Sequence, residues 1–90
     1  MKYMVFGEYK EPIEDNMKKM YEVEKRRIEK GTAFSDYVFP MHTCVTQLKS
    51  FFVVDVDESE IMRWVSDYGP LVNAEIYPIV ERSTWQKAIK

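Results

Sequence analysis

Four short segments of the chain carry the dense apolar pattern of β-strands. The first is rich in Tyr, Met, Val and Phe, and the third is a continuous apolar run of the kind buried on both faces of a sheet. The second and fourth segments are interrupted by Pro40 and Pro78. A polar turn over residues 47–50 separates the second segment from the third. The predicted strands are residues 2–9, 37–45, 51–56 and 74–81.

Between these strands, two segments repeat apolar residues every three to four positions, as amphipathic helices do. Pro12 suits the first turn of the first helix, and Gly31 favours its end. Asp15 or Asn16 is an alternative cap for a slightly later start. Residues 57–60 have the Asp-x-x-Glu form of a capping box before the second helix. The predicted apolar faces are Ile13, Met17, Met20, Tyr21 and Ile28 in the first helix, and Ile61, Trp64, Val65 and Tyr68 in the second.

The elements follow the order strand-helix-strand twice, which predicts the ferredoxin-like βαββαβ fold of the α+β class. Two right-handed crossovers give a four-stranded antiparallel sheet with the strand order 4-1-3-2 and two helices on one face. Proline cannot donate a backbone hydrogen bond to a neighbouring strand, so it belongs at a sheet edge. Pro40 and Pro78 fall in the second and fourth strands, which are the edges of this order. The prolines therefore support the predicted topology.

The face of the sheet that two helices would leave open is predicted to be apolar. In the third strand apolar side chains occupy both faces, with Phe51 on one side and Phe52 on the other. The second strand is similar, with Phe39 and Met41 expected on the same face. A bare apolar sheet is an aggregation liability, and pairing with the sheet of a second copy removes it. The pattern therefore predicts a homodimer, as a dimeric α/β barrel.

The composition narrows the class of protein. The length predicts a single domain over residues 1–90, in which residues 82–90 form a C-terminal tail with one short amphipathic turn. A net charge of −2 disfavours a nucleic-acid partner, and the apolar runs are too short for a membrane span. The single cysteine, Cys44, excludes an internal disulfide, and the N-terminus lacks the features of a signal peptide. These features favour a cytoplasmic protein.

Five parts of the sequence carry a resemblance that covers nearly the whole chain. They are the opening Met1-Lys2-Tyr3-Met4-Val5, His42 at the end of strand two, Phe52-Val53-Val54-Asp55, Trp64, and Glu75-Ile76-Tyr77-Pro78-Ile79. In these parts the chain resembles a small uncharacterised family, a domain of unknown function, of the dimeric α/β-barrel superfamily. The resemblance implies a homodimer whose two sheets close into a barrel, with a ligand cavity between sheet and helices in each protomer. It implies no established function.

Glu24 is the most unusual candidate for a binding residue, because it falls near the centre of the apolar face of the first helix, beside Tyr21. There it either borders a wet cavity or lies in a solvated part of the helix that overhangs the sheet. His42 is the only histidine. It is either hydrogen-bonded at a strand end, which we favour, or acts as a general base or ligand.

Two further candidates lie on the fourth strand and the second helix. Glu75 alternates onto one face with Tyr77, so it is either a barrel-face carboxylate hydrogen-bonded to a tyrosine or an exposed residue at a sheet edge. Trp64 is expected in the core rather than as a stacking platform. We expect no metal site, because the sequence has no second histidine and no cysteine cluster, and we expect no cofactor. The candidate pocket residues are Glu24, His42, Tyr21, Trp64 and Glu75.

Three functional hypotheses follow. The leading one is a homodimeric module that binds a small molecule of unknown identity. The second is an enzyme similar to the cofactor-independent monooxygenases or isomerases among dimeric α/β barrels, with His42 and Glu24 as acid and base. The third is an RNA-binding domain, because RNA-recognition domains share this strand order. It is disfavoured because Phe51 and Phe52 lack the flanking Arg/Gly pattern and the charge is negative.

Overall fold

The computed structural model describes residues 1–89, within which the chain forms four strands and three helices. The order is the predicted βαββαβ, followed by a third helix where the sequence predicts only a short turn. The predicted strand boundaries shift, because the turn between the second and third strands occupies residues 44–48 and the fourth strand begins two residues earlier. The elements are β1 (Lys2–Tyr9), α1 (Ile13–Lys30), β2 (Tyr37–Thr43), β3 (Lys49–Asp55), α2 (Glu58–Tyr68), β4 (Val72–Ile79) and α3 (Arg82–Ile89).

The four strands form one antiparallel sheet with the order β2-β3-β1-β4, which confirms the predicted order 4-1-3-2. In the centre, Val5 of β1 lies opposite Phe52 of β3 on one side and Ile76 of β4 on the other. Pro40 and Pro78 lie in the edge strands β2 and β4, as predicted. Both edge prolines therefore leave the hydrogen bonding of the central strands intact.

The helices α1 and α2 pack against one face of the sheet and form the core with it. Apolar burial at this interface supplies most of the driving force for folding. All seven residues of β2 are exposed, so this edge strand extends beyond the cover that the helices provide. The buried core residues are Tyr3, Val5, Val23, Phe52, Val54, Ile61, Trp64, Tyr68, Leu71 and Val72.

The face of α1 that contacts the core differs from the predicted apolar face. The buried residues of the helix are Asn16, Val23 and Arg27. Tyr21 and Ile28, which the hydrophobic spacing places on the buried face, are 68% and 69% exposed. The prediction was wrong by a rotation of the helix that moves the apolar stripe to the flank of the core.

Polar partners explain this rotation of α1. The Nδ2 atom of Asn16 donates a hydrogen bond of 2.8 Å to the carbonyl oxygen of Lys10. The guanidinium of Arg27 donates to the Asp67 carboxylate at 2.7 Å and to the Thr32 carbonyl oxygen at 2.8 Å. Because their hydrogen bonds are satisfied inside the protein, Asn16 and Arg27 can be buried. Hydrophobic spacing alone assigns the buried face of the helix to apolar residues instead.

Two irregularities in β2 change which side chains share a face. Tyr37 pairs with Val54, whereas Phe39 pairs with Val53 and His42 with Phe51, so the register shifts on both sides of Phe39. Each shift adds one residue to β2, and an added residue reverses the alternation of faces. The expectation that Phe39 and Met41 lie on one face is therefore wrong: Phe39 stacks on Phe51, while Met41 lines a cavity on the helix side.

The ends of the helices follow local sequence signals. The carboxylate of Asp57 accepts from the backbone N–H of Glu60 at 2.9 Å, and the Glu60 carboxylate accepts from the backbone N–H of Asp57, which confirms the capping box. Gly31 ends α1 with a positive φ of 70° that favours glycine. Pro12 precedes the first residue of α1 as its N-cap, and neither Asp15 nor Asn16 takes this position.

Candidate ligand-binding cavities

Two cavities lie on the helix side of the sheet, where β2 extends beyond the cover of α1 and α2. Their volumes are about 240 Å³ and about 260 Å³. Trp64 and Tyr68 line both cavities, so the two spaces adjoin across these two side chains of α2. Each volume is close to the lower end of the range for small-molecule sites.

A second stripe of α1 faces these cavities, next to the stripe that packs on the core. It consists of Met17, Tyr21, Glu24 and Ile28, which recur every three or four residues. Met17, Tyr21 and Ile28 belong to the apolar face that the sequence predicts and border open space, whereas Met20 of the same predicted face packs against the core. Glu24 lies half-buried within this stripe.

The first cavity combines aromatic walls with charged groups. Glu24 is its one carboxylate, and among residues 1–89 none of the ion pairs involves Glu24. The charge of Arg27 is matched by Asp67, since the two groups are 2.7 Å apart. The carboxylate of Glu24 is therefore the uncompensated charge at this cavity. The lining residues are Glu24, Arg27, Ile28, Ala33, Phe34, Tyr37, Trp64 and Tyr68.

Arg27 holds the aromatic wall of the first cavity in place. Its side chain is only 3% exposed, and its guanidinium carbon lies 5.3 Å from the centre of the Phe34 ring and 5.4 Å from that of Tyr68. These are distances at which a cation is attracted to the face of an aromatic ring. The sequence-based interpretation missed Arg27, because its partner Asp67 is 40 residues away and no local pattern connects them.

The second cavity is lined entirely by uncharged side chains. Three of them are methionines, Met17 and Met20 from α1 and Met41 from β2. Methionine is flexible and polarisable, so a wall rich in it adapts to ligands of different shape. The other lining residues are Gly7, Tyr9, Tyr21, Thr43, Leu48, Ser50, Phe52, Trp64, Tyr68 and Val72.

The charge of Glu24 acts on the phenols of both cavities. Burial and the negative charge of Glu24 raise the pKa of Tyr37, and burial together with Tyr21 and Glu24 raises that of Tyr9. Burial raises the pKa of Tyr68 to about 12, with Arg27 opposing the shift and Glu24 adding to it. These phenols stay protonated at neutral pH, where a hydroxyl can donate a hydrogen bond, and that of Tyr9 already donates to the Met20 sulfur at 2.8 Å.

The raised pKa of Tyr68 predicts a loss of stability at alkaline pH. Below pH 10 the phenol is neutral whether the chain is folded or unfolded, and its contribution is fully present. As the pH rises through about 12 that contribution is lost, because the unfolded chain ionises first. Between pH 9 and pH 11, we expect wild type to lose about 1 kcal/mol more stability than Tyr68→Phe in urea unfolding. The exposed Tyr21 provides the control, Tyr21→Phe, and equal losses in wild type and Tyr68→Phe would contradict the prediction.

The five candidate site residues lie on two different faces of the sheet. Glu24 and Trp64 line the first cavity, and Tyr21 and Trp64 line the second. His42 and Glu75 lie on the opposite, open face, since they pair with Phe51 and Phe6, which alternate with the core residues of β3 and β1. The sequence left the face of His42 undecided, and its pairing with Phe51 shows which face it occupies. The five residues therefore do not form one pocket.

On the open face, aromatic side chains form a row across all four strands. His42 stacks on Phe39 with ring centres 4.6 Å apart, and Phe39 stacks on Phe51 at 5.7 Å. Phe51 in turn lies 6.1 Å from Phe6, and Phe6 lies 6.3 Å from Tyr77. Such ring pairs add to the free energy of burial when a partner covers them. We call His42, Phe39, Phe51, Phe6 and Tyr77 the aromatic row.

The polar groups at the two ends of the aromatic row are hydrogen-bonded. The Nδ1 atom of His42 lies 2.7 Å from the carbonyl oxygen of Pro40, in agreement with the hydrogen-bonded interpretation. The Tyr77 hydroxyl donates to the Glu75 carboxylate at 3.1 Å, and this hydrogen bond raises the pKa of Tyr77. Neither group is near the cavities on the other face.

The described part of the chain has neither a metal-binding cluster nor a membrane-spanning helix. Within residues 1–89, no group of three or more His, Cys, Asp or Glu side chains is arranged to hold a metal ion. In the same part of the chain, none of the helices combines the length and apolar character needed to cross a bilayer.

The fold and its cavities define a small α+β domain with the βαββαβ order, two helices on one face of the sheet and an open face on the other. The chain belongs to the family described as domain of unknown function DUF3303, whose model matches residues 1–90. This confirms the expectation of an uncharacterised family. No curated protein matches the chain.

Proposed function

We propose that this chain is a homodimeric small-molecule-binding module whose ligand occupies the cavities between α1, α2 and β2. The observation that carries the proposal is the placement of Glu24: a half-buried carboxylate in an aromatic wall, without an ion-pair partner in residues 1–89. A carboxylate in a dry apolar site costs several kcal/mol, so such a group needs water or a ligand. An apolar pocket with a few convergent polar groups is the usual form of a ligand site.

The open face supports the homodimer. Its aromatic row is apolar, and its lysines lie towards the ends of the strands and are paired within the protomer: Lys49 with Glu8 at 3.6 Å and Lys2 with Glu81 at 3.9 Å. The carboxylate of Glu75, next to the row, accepts a hydrogen bond from the Tyr77 hydroxyl. A second copy presents the same surface, so that two apolar centres meet around a twofold axis. All residues of the helix α3, Trp85 included, are exposed, so this helix also offers surface to a second copy.

RNA is the other occupant to consider for the open face. The rings of Phe6 and Phe51 lie on the two central strands, where RNA-recognition domains place the aromatics that stack on bases. Phosphate binding also needs free cations, and Lys2 and Lys49 are each paired with a carboxylate. The charge arrangement therefore favours a second copy, and RNA binding is an outcome that the test of the homodimer distinguishes.

The two residues that the enzyme hypothesis pairs as acid and base lie on opposite faces of the sheet. Glu24 borders the first cavity and His42 stacks in the aromatic row on the opposite face of the sheet, so they do not act on one substrate within a protomer. We therefore propose binding without assigning a reaction. The lone thiol of Cys44 agrees with a reducing compartment, which supports the cytoplasm as the place of action.

The proposal is tested by thermal shift with a panel of aromatic compounds that carry amine, hydroxyl, carboxyl and quinone groups. We expect a subset to stabilise wild type by mass action. The variants Glu24→Gln and Glu24→Leu are expected to change the free energy of unfolding by less than about 1 kcal/mol and to remove or reduce the ligand-induced shift. Glu22→Gln, which alters an exposed carboxylate of the same helix, is the matched control. The absence of any shift, or equal shifts in wild type and both Glu24 variants, would reject the cavity as a ligand site.

A further inference from the structure

The charges around the two cavities define what kind of ligand the site accepts. The first cavity has Glu24 and Arg27 in its wall, and Asp67 stands behind Arg27 at 2.7 Å. The Arg27–Asp67 pair is neutral as a unit, so the Glu24 carboxylate leaves one negative charge at the cavity. The second cavity adds none, since its lining is uncharged. A cationic group is attracted to this site, and an anionic group is repelled.

The aromatic walls of the first cavity are suited to a cation. Phe34 and Tyr68 already hold the guanidinium of Arg27 at 5.3 Å and 5.4 Å from their ring centres. Tyr37 and Trp64 line the same cavity. Aromatic rings combined with a carboxylate are a recurrent means of binding organic ammonium groups, because ring faces attract a cation without forming hydrogen bonds to it.

The second cavity is suited to the apolar part of the same molecule. It adjoins the first at Trp64 and Tyr68 and presents the methionine side chains of Met17, Met20 and Met41. Glu24 influences the phenol of Tyr9 in the second cavity as well as that of Tyr37 in the first, so its carboxylate lies within electrostatic range of both. A molecule anchored at Glu24 by its charged end therefore extends its apolar body along the methionine wall.

From this arrangement, and resting on the proposed function, we infer that the ligand is an amphiphilic amine, whose ammonium group binds the Glu24 carboxylate and whose apolar body fills the second cavity. The ammonium donates hydrogen bonds to the carboxylate, and such charge-assisted bonds are stronger than neutral ones. Carboxylic acids of the same shape are excluded, because they place a second negative charge beside Glu24.

Three compounds with one body and different head groups test the inference: 4-phenylbutylamine, 4-phenylbutan-1-ol and 4-phenylbutyrate. Isothermal titration at neutral pH is expected to rank the amine about tenfold or more above the alcohol, with the acid weakest. Glu24→Gln is expected to remove the preference for the amine while leaving the alcohol within about twofold, since the apolar contacts remain. Glu22→Gln is expected to bind all three compounds as wild type does.

The outcomes separate this inference from the proposed function. Binding of the alcohol without a preference for the amine, binding of the acid as tightly as the amine, or an amine preference that survives Glu24→Gln would each overturn the inference. Failure of the amine to bind also overturns the inference. The proposed function falls only if the wider thermal-shift panel gives no Glu24-dependent ligand.

Discussion

Asp67→Ala is expected to lower the free energy of unfolding by about 3–5 kcal/mol, because it leaves the guanidinium of Arg27 buried without its counter-charge. Arg27 is 3% exposed, and its Nη1 atom lies 2.7 Å from the Asp67 carboxylate. The remaining hydrogen bond to the Thr32 carbonyl does not neutralise the charge. Chemical denaturation followed by circular dichroism measures the loss.

The double variant Arg27→Met/Asp67→Leu distinguishes a buried ion pair from ordinary packing. Replacement of both partners by apolar residues is expected to restore most of the stability that Asp67→Ala loses, since no unpaired charge remains. The exposed pair of Lys49 and Glu8 provides the control, and Glu8→Ala is expected to cost less than about 1 kcal/mol. If Asp67→Ala costs no more than Glu8→Ala, Arg27 is hydrated in solution and does not fix the wall of the first cavity.

This ion pair links the stability of the fold to the shape of the site. Arg27 contributes to the core of α1 and also packs on Phe34 and Tyr68, which line the first cavity. The Asp67→Ala variant is therefore expected to weaken binding as well as folding, whereas Glu24 variants change binding alone. Arg27 and Glu24 are three positions apart on α1. Arg27 carries the structural role of this helix, and Glu24 carries its proposed binding role.

The topology is predictable from the sequence because each signal for it is local. The edge position of β2 and β4 follows from Pro40 and Pro78, which cannot donate to a central ladder. The start of α2 follows from Asp57 and Glu60, whose side chains and backbone N–H groups satisfy one another within four residues. Such features need no knowledge of distant contacts.

The orientation of α1 is not predictable in this way, because it depends on distant partners. Hydrophobic spacing assigns Tyr21 and Ile28 to the core, but the burial of Arg27 depends on Asp67, which lies 40 residues away. Burying a satisfied polar side chain costs little, so the helix turns its Arg27 stripe inward and its apolar stripe towards the cavities. Hydrophobic spacing therefore gives the wrong core-facing side of α1. It still identifies Glu24 as unusual, because Glu24 is a carboxylate within an otherwise apolar stripe.

The faces of His42 and Glu75 show the limit of strand alternation. The register of β4 is regular, so Glu75 lies opposite Phe6 and shares its face. The register of β2 shifts twice around Phe39, and each shift reverses the face of every later residue. The two reversals cancel for His42, which lies on the face that alternation from Tyr37 gives, whereas Phe39, between the two shifts, lies on the other face from the one alternation gives. Alternation is therefore an unreliable guide through β2, because neither shift is visible in the sequence.

Phe51→Glu is expected to convert the proposed homodimer into a monomer. Phe51 is central to the aromatic row, with ring centres 5.7 Å from Phe39 and 6.1 Å from Phe6. In a twofold-symmetric interface the variant places two carboxylates in an apolar contact, once from each copy. We expect the dissociation constant to rise at least about 100-fold, which corresponds to losing a central anchor and burying charge.

Light scattering at micromolar concentration measures the mass of wild type, Phe51→Glu and a control, Met62→Glu. Met62 is an exposed apolar residue of α2, 67% exposed and on the helix side of the sheet, so its variant is expected to remain dimeric. Circular dichroism verifies that each variant is folded. A monomeric wild type would refute the homodimer. If wild type binds single-stranded RNA, and this binding weakens with salt and is lost in Phe51→Glu, the aromatic row is a nucleic-acid surface instead. A dimeric Phe51→Glu would mean that the two copies meet elsewhere, with the exposed Trp85 of α3 as the next position to change.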